Sequence, residues 1–190
     1  MMRNVAAYLR ERFRFRLFGP ATLLFTVLAT ASMDRSSPGR GVAVAALVVM
    51  LLLQFRLWDD LEDRDRDAAA HPERVLVRLP PGPFWQALWL IGAANLGVLA
   101  AARAPGALGG LFALDVAALA AYRAGRIVIS ERAWTHVVLL AKYPAIVAVA
   151  ALAGGAVNWD RLVAASLVAF ATAHVYERVH TRAESLGVSP

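Results

Sequence analysis

The chain has 190 residues, of which 59% are hydrophobic, and only 18% carry charge. A soluble domain is about 45–50% apolar, so a mean hydropathy of +0.53, with the apolar residues in long runs, excludes an ordinary soluble fold and points to an integral membrane protein. Twenty basic residues against fourteen acidic ones give a net charge of +6, best explained by basic loops on the inner side of a membrane. Cysteine is absent, which removes disulfides, thiolate metal sites and a cysteine nucleophile.

The first 16 residues carry Arg3, Arg10, Arg12, Arg14 and Arg16. They lack the cleavage pattern of a removable signal and read as a basic, partly amphipathic helix on the inner face. Six membrane spans follow, over residues 17–33, 41–58, 79–102, 104–122, 133–159 and 162–176, with a cytoplasmic tail from 177 to 190. Crossing takes about 20 residues. Spans two and six are short and run directly into acidic residues. Pro20 and Pro144 fall within spans, where neighbouring helices tolerate kinks. With the N-terminus inside, fifteen arginines lie on inner segments, and only Arg35, Arg40, Arg103 and Arg161 lie outside. This positive-inside bias puts both termini in the cytoplasm of a multi-pass cell-membrane protein. The expected architecture is therefore a single all-α transmembrane bundle.

The longest polar stretch joins spans two and three. Seven of the fourteen acids lie between Asp59 and Glu73. At 100° per residue, Asp60, Asp63 and Asp67 share a helix face that Asp59 extends, while Glu62 and Asp65 point elsewhere. Like charges at this spacing repel, so a cation belongs against them. One reading is internal neutralisation by Arg64 and Arg66. The other is a hard divalent ion: Mg²⁺ takes oxygen ligands, commonly one or two carboxylates plus substrate phosphate.

The stripe is followed by His71-Pro72-Glu73-Arg74. The pattern Asp59-Asp60-x-x-Asp63-x-x-x-Asp67, then His-Pro-x-Arg, at the end of the second span, resembles the first aspartate-rich motif of the UbiA superfamily of intramembrane prenyltransferases. Asp59 stands where that family usually has Asn, and Val75 where it often has Pro. The resemblance implies Mg²⁺ held by Asp59, Asp60, Asp63 and Asp67. Tyr122-Arg123-Ala124-Gly125-Arg126 is similar to the family's Tyr-x-x-x-Lys element, which implies diphosphate binding by Tyr122 and Arg126 together with Arg74. Its second aspartate-rich motif corresponds to His174, Glu177 and Thr181, with His180 at the edge of the stripe. Only Glu177 keeps a carboxylate there, so a full second metal site is not expected. Asp60, Asp63 and Glu177 are the implied catalytic acids. The family's last spans have no counterpart in the chain.

Asp115 and Lys142 lie inside spans at similar expected depths, which suggests a structural ion pair, with a role in lining a prenyl pocket as the alternative. Asn95 and His136 read as helix–helix contacts, and the Gly pairs at 109–110 and 154–155 as close-packing sites. No other catalytic template or nucleic-acid-binding module is present. Three classes stay open. The first is an Mg²⁺-dependent enzyme that ionises a prenyl diphosphate and passes the prenyl group to a lipophilic or aromatic acceptor, or cyclises it. The second is a non-catalytic homologue that binds prenyl lipid or a partner. The third is a small transporter resting on Asp115 and Lys142. A homo-oligomer is compatible with each.

Overall fold

The computed structural model describes residues 2–13, 15–35, 37–127 and 139–185. Among them every regular element is helical: α1 Met2–Arg12, α2 Phe15–Ala31, α3 Pro38–Glu62, α4 Arg64–Ala70, α5 Val75–Arg78, α6 Gly82–Ala101, α7 Pro105–Ile127, α8 Lys142–Gly154 and α9 Trp159–Ser185. Among the described residues four stretches are long and apolar enough to cross a membrane: Pro38–Glu62, Gly82–Ala101, Pro105–Ala124 and Trp159–Val179. Two apolar helices are shorter, Phe18–Ala31 and Lys142–Gly154. At 1.5 Å per residue the apolar part of α2 covers about 21 Å, against a hydrocarbon core of about 30 Å. The expected first and fifth spans are thus represented by short helices, and part of the fifth lies outside the described residues, as does His136.

Local chemistry sets the helix ends. Ser37 caps α3, its Oγ accepting from Arg40 N at 3.4 Å, and Pro38 occupies the first turn, where its missing N–H costs nothing. Pro144 interrupts the helical ladder, as expected of a proline inside a helical run: residues 139 and 140 are helical, Ala141 keeps right-handed helical dihedrals at φ −62° and ψ −16°, and α8 resumes at Lys142, because Pro144 has no N–H to donate to Leu140 O.

The centre of the bundle is α3 and α8. Helix α3 buries residues around its whole circumference, from Val44 and Leu51 to Phe55 and Trp58. Helix α8 packs against α2, α3, α7 and α9, and α3 also packs against α2 and α6. The interior holds Gln54, Asn95, Asp60 and Lys142, while Trp89, Leu90, Phe112, Val163 and Leu167 face outward. Polar groups inside and large apolar groups outside is the distribution that a lipid solvent favours.

The two loops at the end of the bundle remote from Asp59 are tied together. Asp34 N donates to Ala156 O at 3.0 Å, and Asn158 N donates to Ser32 O at 2.8 Å. This pairing demands glycines. A Cβ on Gly154 would sit 2.6 Å from Met33 Sδ, and Gly155 has φ +138°, a conformation essentially reserved for glycine.

Candidate functional site

Helix α3 carries the first acidic residues out of the apolar core, and Asp63 then interrupts the helix with φ −85° and ψ 0° before α4 begins. The helical ladder nearly survives the break: Asp63 N donates to Asp59 O at 2.9 Å, and Asp67 N to Asp63 O at 2.8 Å. The side chains nevertheless do not form one cluster. Asp59 turns toward α7 and α8, where it accepts from Tyr122 Oη and pairs with Lys142 Nζ. Asp60, about 100° round the helix, turns toward α1. Its Oδ2 accepts from Tyr8 Oη at 2.8 Å and Arg12 Nε at 3.0 Å, and its Oδ1 accepts from Arg12 Nη2 at 2.6 Å. Arg56 Nη2 lies 3.1 Å from the same Oδ1.

Asp63 is half exposed and pairs with Arg66 at 3.0 Å. Asp67 pairs with Arg74. Among the described residues no group of three His, Asp or Glu side chains converges as a metal cage. The expected neutralising cation Arg64 does something else: its Nε and Nη2 donate to Leu76 O and Val77 O, both at 3.1 Å. Glu11 of α1 accepts from Val75 N at 2.9 Å, so the single turn of α5 is held at its N-terminus by a carboxylate and near its C-terminal carbonyls by a guanidinium. His71 Nδ1 lies 3.6 Å from Glu73 Oε1 on the surface.

Burial raises the Asp63 carboxyl above the ordinary aspartate range. Arg66 opposes this, and Asp59, Asp67 and Asp60 add to it. On α1, burial and then the Asp60 charge raise the Tyr8 hydroxyl far above its usual range, so Tyr8 is a hydrogen-bond donor at every physiological pH.

Tyr122 is buried, and its ring lies 5.5 Å from that of Trp58. Arg126 belongs to α7, but its side chain lies outside the described ones, as do those of His180 and Thr181 on α9. His174 stacks on Phe170 at 6.3 Å, and its buried Nδ1 has no partner among the described residues. Glu177 is partly buried on α9, which packs on α8 and α2.

The expected Asp115–Lys142 pair does not form. Lys142 starts α8 and is level with Asp59, whereas Asp115 lies seven residues below Tyr122 on α7, about 10 Å deeper. There Asp115 joins a different network. Asn95 Nδ2 donates to Gln54 Oε1 at 2.7 Å, and Gln54 Nε2 donates to Asp115 Oδ1 at 2.8 Å. These contacts tie α6, α3 and α7 together. Gln54→Leu strands a carboxyl group in the apolar interior and should lower stability by about 1–3 kcal/mol. Asp115→Asn, which keeps an oxygen acceptor for Gln54, should cost less. Thermal unfolding in detergent compares the two.

Two hollows lie nearby. A cavity of about 100 Å³ lies directly beside the site, lined by Leu114, Ala117, Ala118 and Ala121 of α7 and by Tyr122 and Lys142. A larger apolar groove of about 420 Å³ runs between α8 and α9 past Pro144, Ala148, Leu162 and Phe170. Pro144 is nearly opposite Lys142 round α8, so this groove does not open onto Asp59.

Sequence reasoning missed Tyr8, Arg12, Arg56 and Lys142 as partners of the motif. Tyr8 and Arg12 are spaced i,i+4, which was a usable signal that they share a face. Their target was not readable. Comparison with family models, with curated proteins and with solved structures returns no match.

Proposed function

We propose that this protein is an Mg²⁺-dependent, prenyltransferase-like membrane enzyme. It binds a prenyl diphosphate at the end of the bundle that carries Asp59 to Asp67 and passes the prenyl group to a lipophilic or aromatic acceptor. The observation that carries the reading is the meeting at Asp59 of three distant parts of the chain: the acidic end of α3, Tyr122 of α7 and Lys142 of α8. A carboxylate, a phenol and an ammonium assembled at the rim of an apolar cavity suit a ligand with an anionic head and an apolar tail. Beside them Arg56 Nε is buried without a partner among the described residues, a donor that an oxyanion would satisfy.

The donor set fits Mg²⁺ in part. One or two carboxylates with water and phosphate suffice for this ion. Asp63, paired with the exposed Arg66, and Asp67, paired with Arg74, are the residues that would hold it, whereas Asp59 and Asp60 each have a cation and a tyrosine hydroxyl as partners. When bound, the ion supplies positive charge that links carboxylate to diphosphate and stabilises the leaving group. Arg74, Lys142 and Arg56 provide cations for phosphate oxygens, and Tyr122 provides a hydroxyl donor. Away from Tyr122 and Lys142 the cavity wall is leucine and alanine, which would limit the access of water to an allylic carbon held there.

In this reading α2 and α8 complete six spans, and both termini face the cytoplasm of the cell membrane. Arg12, Arg56, Arg66 and Arg74 gather at the Asp59 end, in keeping with the positive-inside bias. A second reading, a non-catalytic binder of prenyl lipid, is favoured by one observation: Asp59, Asp60, Asp63 and Asp67 are each already paired with a cation of the chain.

Equilibrium binding of farnesyl and geranylgeranyl diphosphate to the purified protein, with Mg²⁺ or with EDTA, tests the proposal. Binding should require Mg²⁺, and metal-independent binding of equal strength would contradict it. The pH dependence has a defined sign. The raised Asp63 carboxyl keeps its proton to a higher pH than an ordinary aspartate, and the proton competes with the metal. Mg²⁺ affinity should therefore weaken on acidification while ordinary aspartates are still ionised, and recover as pH rises. Titrations of Mg²⁺ at stepped pH check this.

A further inference from the structure

Asp60 is the most completely engaged carboxylate of the motif, and its partners come mainly from one short helix. Arg12 grips both of its oxygens, and Tyr8 adds a third hydrogen bond. All three come from α1, and the remaining cation, Arg56, comes from α3 itself. Tyr8 is 1% exposed and Asp60 5%, so the contact is sealed from water. Helix α1 has 11 residues, below the length of about 12–15 at which an isolated helix is even marginal. It packs on α5 and α6, through the edge of Tyr8 on Phe84 at 5.9 Å and the Glu11 bond to Val75 N, with Val5, Leu9 and Phe13 against the core, and it reaches α3 through Tyr8 and Arg12. Its outer side exposes Arg3, Ala6 and Arg10. A short helix outside the central pair is among the elements that open more readily than the core.

We propose that α1 is a built-in plug: Arg12 and Tyr8 occupy Asp60 in place of the site's cation, and Asp60 becomes available only when α1 lifts away. The inference rests on the reading of this motif as a cation and diphosphate site, and it adds a regulatory state to that site. With α1 docked, the motif offers only its outer carboxylates. With α1 released, Asp60 joins them and Arg12 is free for an anion. The apparent affinity for a divalent cation is then reduced by the fraction of molecules in which α1 is docked.

The absence of cysteine makes the test direct. Ala6→Cys and Gly82→Cys lie at exposed positions, and a Cβ at Gly82 meets no atom within 4 Å. Spin labels on this pair report the α1–α6 distance, and Mn²⁺ titration on the same full-length protein reports metal affinity without turnover. The unliganded protein should show one short distance, and Mg²⁺ with inorganic diphosphate should add a longer one. Arg12→Gln with Tyr8→Phe should show the longer distance without ligand and bind Mn²⁺ about tenfold more tightly, the equivalent of losing one charge-assisted contact. Arg12→Lys keeps the charge but loses the two-pronged grip, so it should fall between, and it serves if the double variant does not fold. Equal Mn²⁺ affinity in all proteins, with the distance unchanged, overturns the plug and leaves the proposed function standing. A released α1 with no Mn²⁺ bound overturns both.

Discussion

Lys142→Met should destabilise the protein by about 3–5 kcal/mol, the cost of leaving a buried charge without its partner. Lys142 is 8% exposed, and its ammonium reaches Asp59, which Tyr122 also contacts. Methionine replaces the apolar stem well but leaves the carboxylate facing a phenol alone. Adding Asp59→Asn removes the stranded charge and should restore much of the loss. Thermal unfolding of the single and double variants in detergent measures the coupling. An additive result would mean that the pair contributes no mutual stabilisation. The same substitution should leave the Asn95–Gln54–Asp115 network intact, because that network lies at a different depth and shares no partner with Lys142.

Asp63→Asn should reduce Mg²⁺-dependent diphosphate release by about a hundredfold, comparable to losing one element of an electrostatic transition-state site. It should scarcely alter stability. The Asp63 side chain is 50% exposed and its partner Arg66 is 82% exposed, and such surface pairs contribute about 0–1 kcal/mol. Glu62→Gln, on a different face of the helix, should have a mild effect on release. Loss of release paired with unchanged unfolding separates a ligand-binding role for Asp63 from a structural one. Equal losses at Glu62 and Asp63 would remove the argument from the helical face.

The apolar pattern made the all-helical fold legible, and the second, third, fourth and sixth expected spans fall on α3, α6, α7 and α9, four helices long and apolar enough to cross a membrane; α3 and α9 run to 25 and 27 residues, longer than the short spans expected there. The pattern misplaced Lys142. A continuous hydrophobic run from 133 to 159 carries no mark of which of its residues lie level with the acidic motif. Starting the fifth span at 133 put Lys142 at a depth similar to that of Asp115 and matched the two, whereas Lys142 pairs with Asp59. The acidic motif was legible as a motif but not as a set of contacts. Helical phase groups Asp60, Asp63 and Asp67, yet a phase angle cannot say that α1 folds back to cover Asp60 or that α8 begins level with Asp59. Those partners are 48 to 83 residues away in the chain, and only the assembled bundle decides them. Arg64 illustrates the same limit. Its neighbours in sequence are acids, but the nearest unsatisfied acceptors in space are the carbonyls at the end of α5.

The ion pairs also change what an acidic motif means. The four aspartates Asp59, Asp60, Asp63 and Asp67 imply a missing cation, and here the chain supplies Lys142, Arg12, Arg66 and Arg74. That arrangement serves two ends. It gives each of these carboxylates a partner when no ligand is bound, and under the proposed function it would keep beside them the cations that a diphosphate requires.

Release of inorganic diphosphate from a panel of prenyl diphosphates by the purified protein, with Mg²⁺ and with EDTA, tests the central claim most directly. The account predicts release that depends on Mg²⁺ and disappears in Asp63→Asn. Tight, Mg²⁺-dependent binding without release across the panel would contradict it and identify the protein as a prenyl-lipid binder.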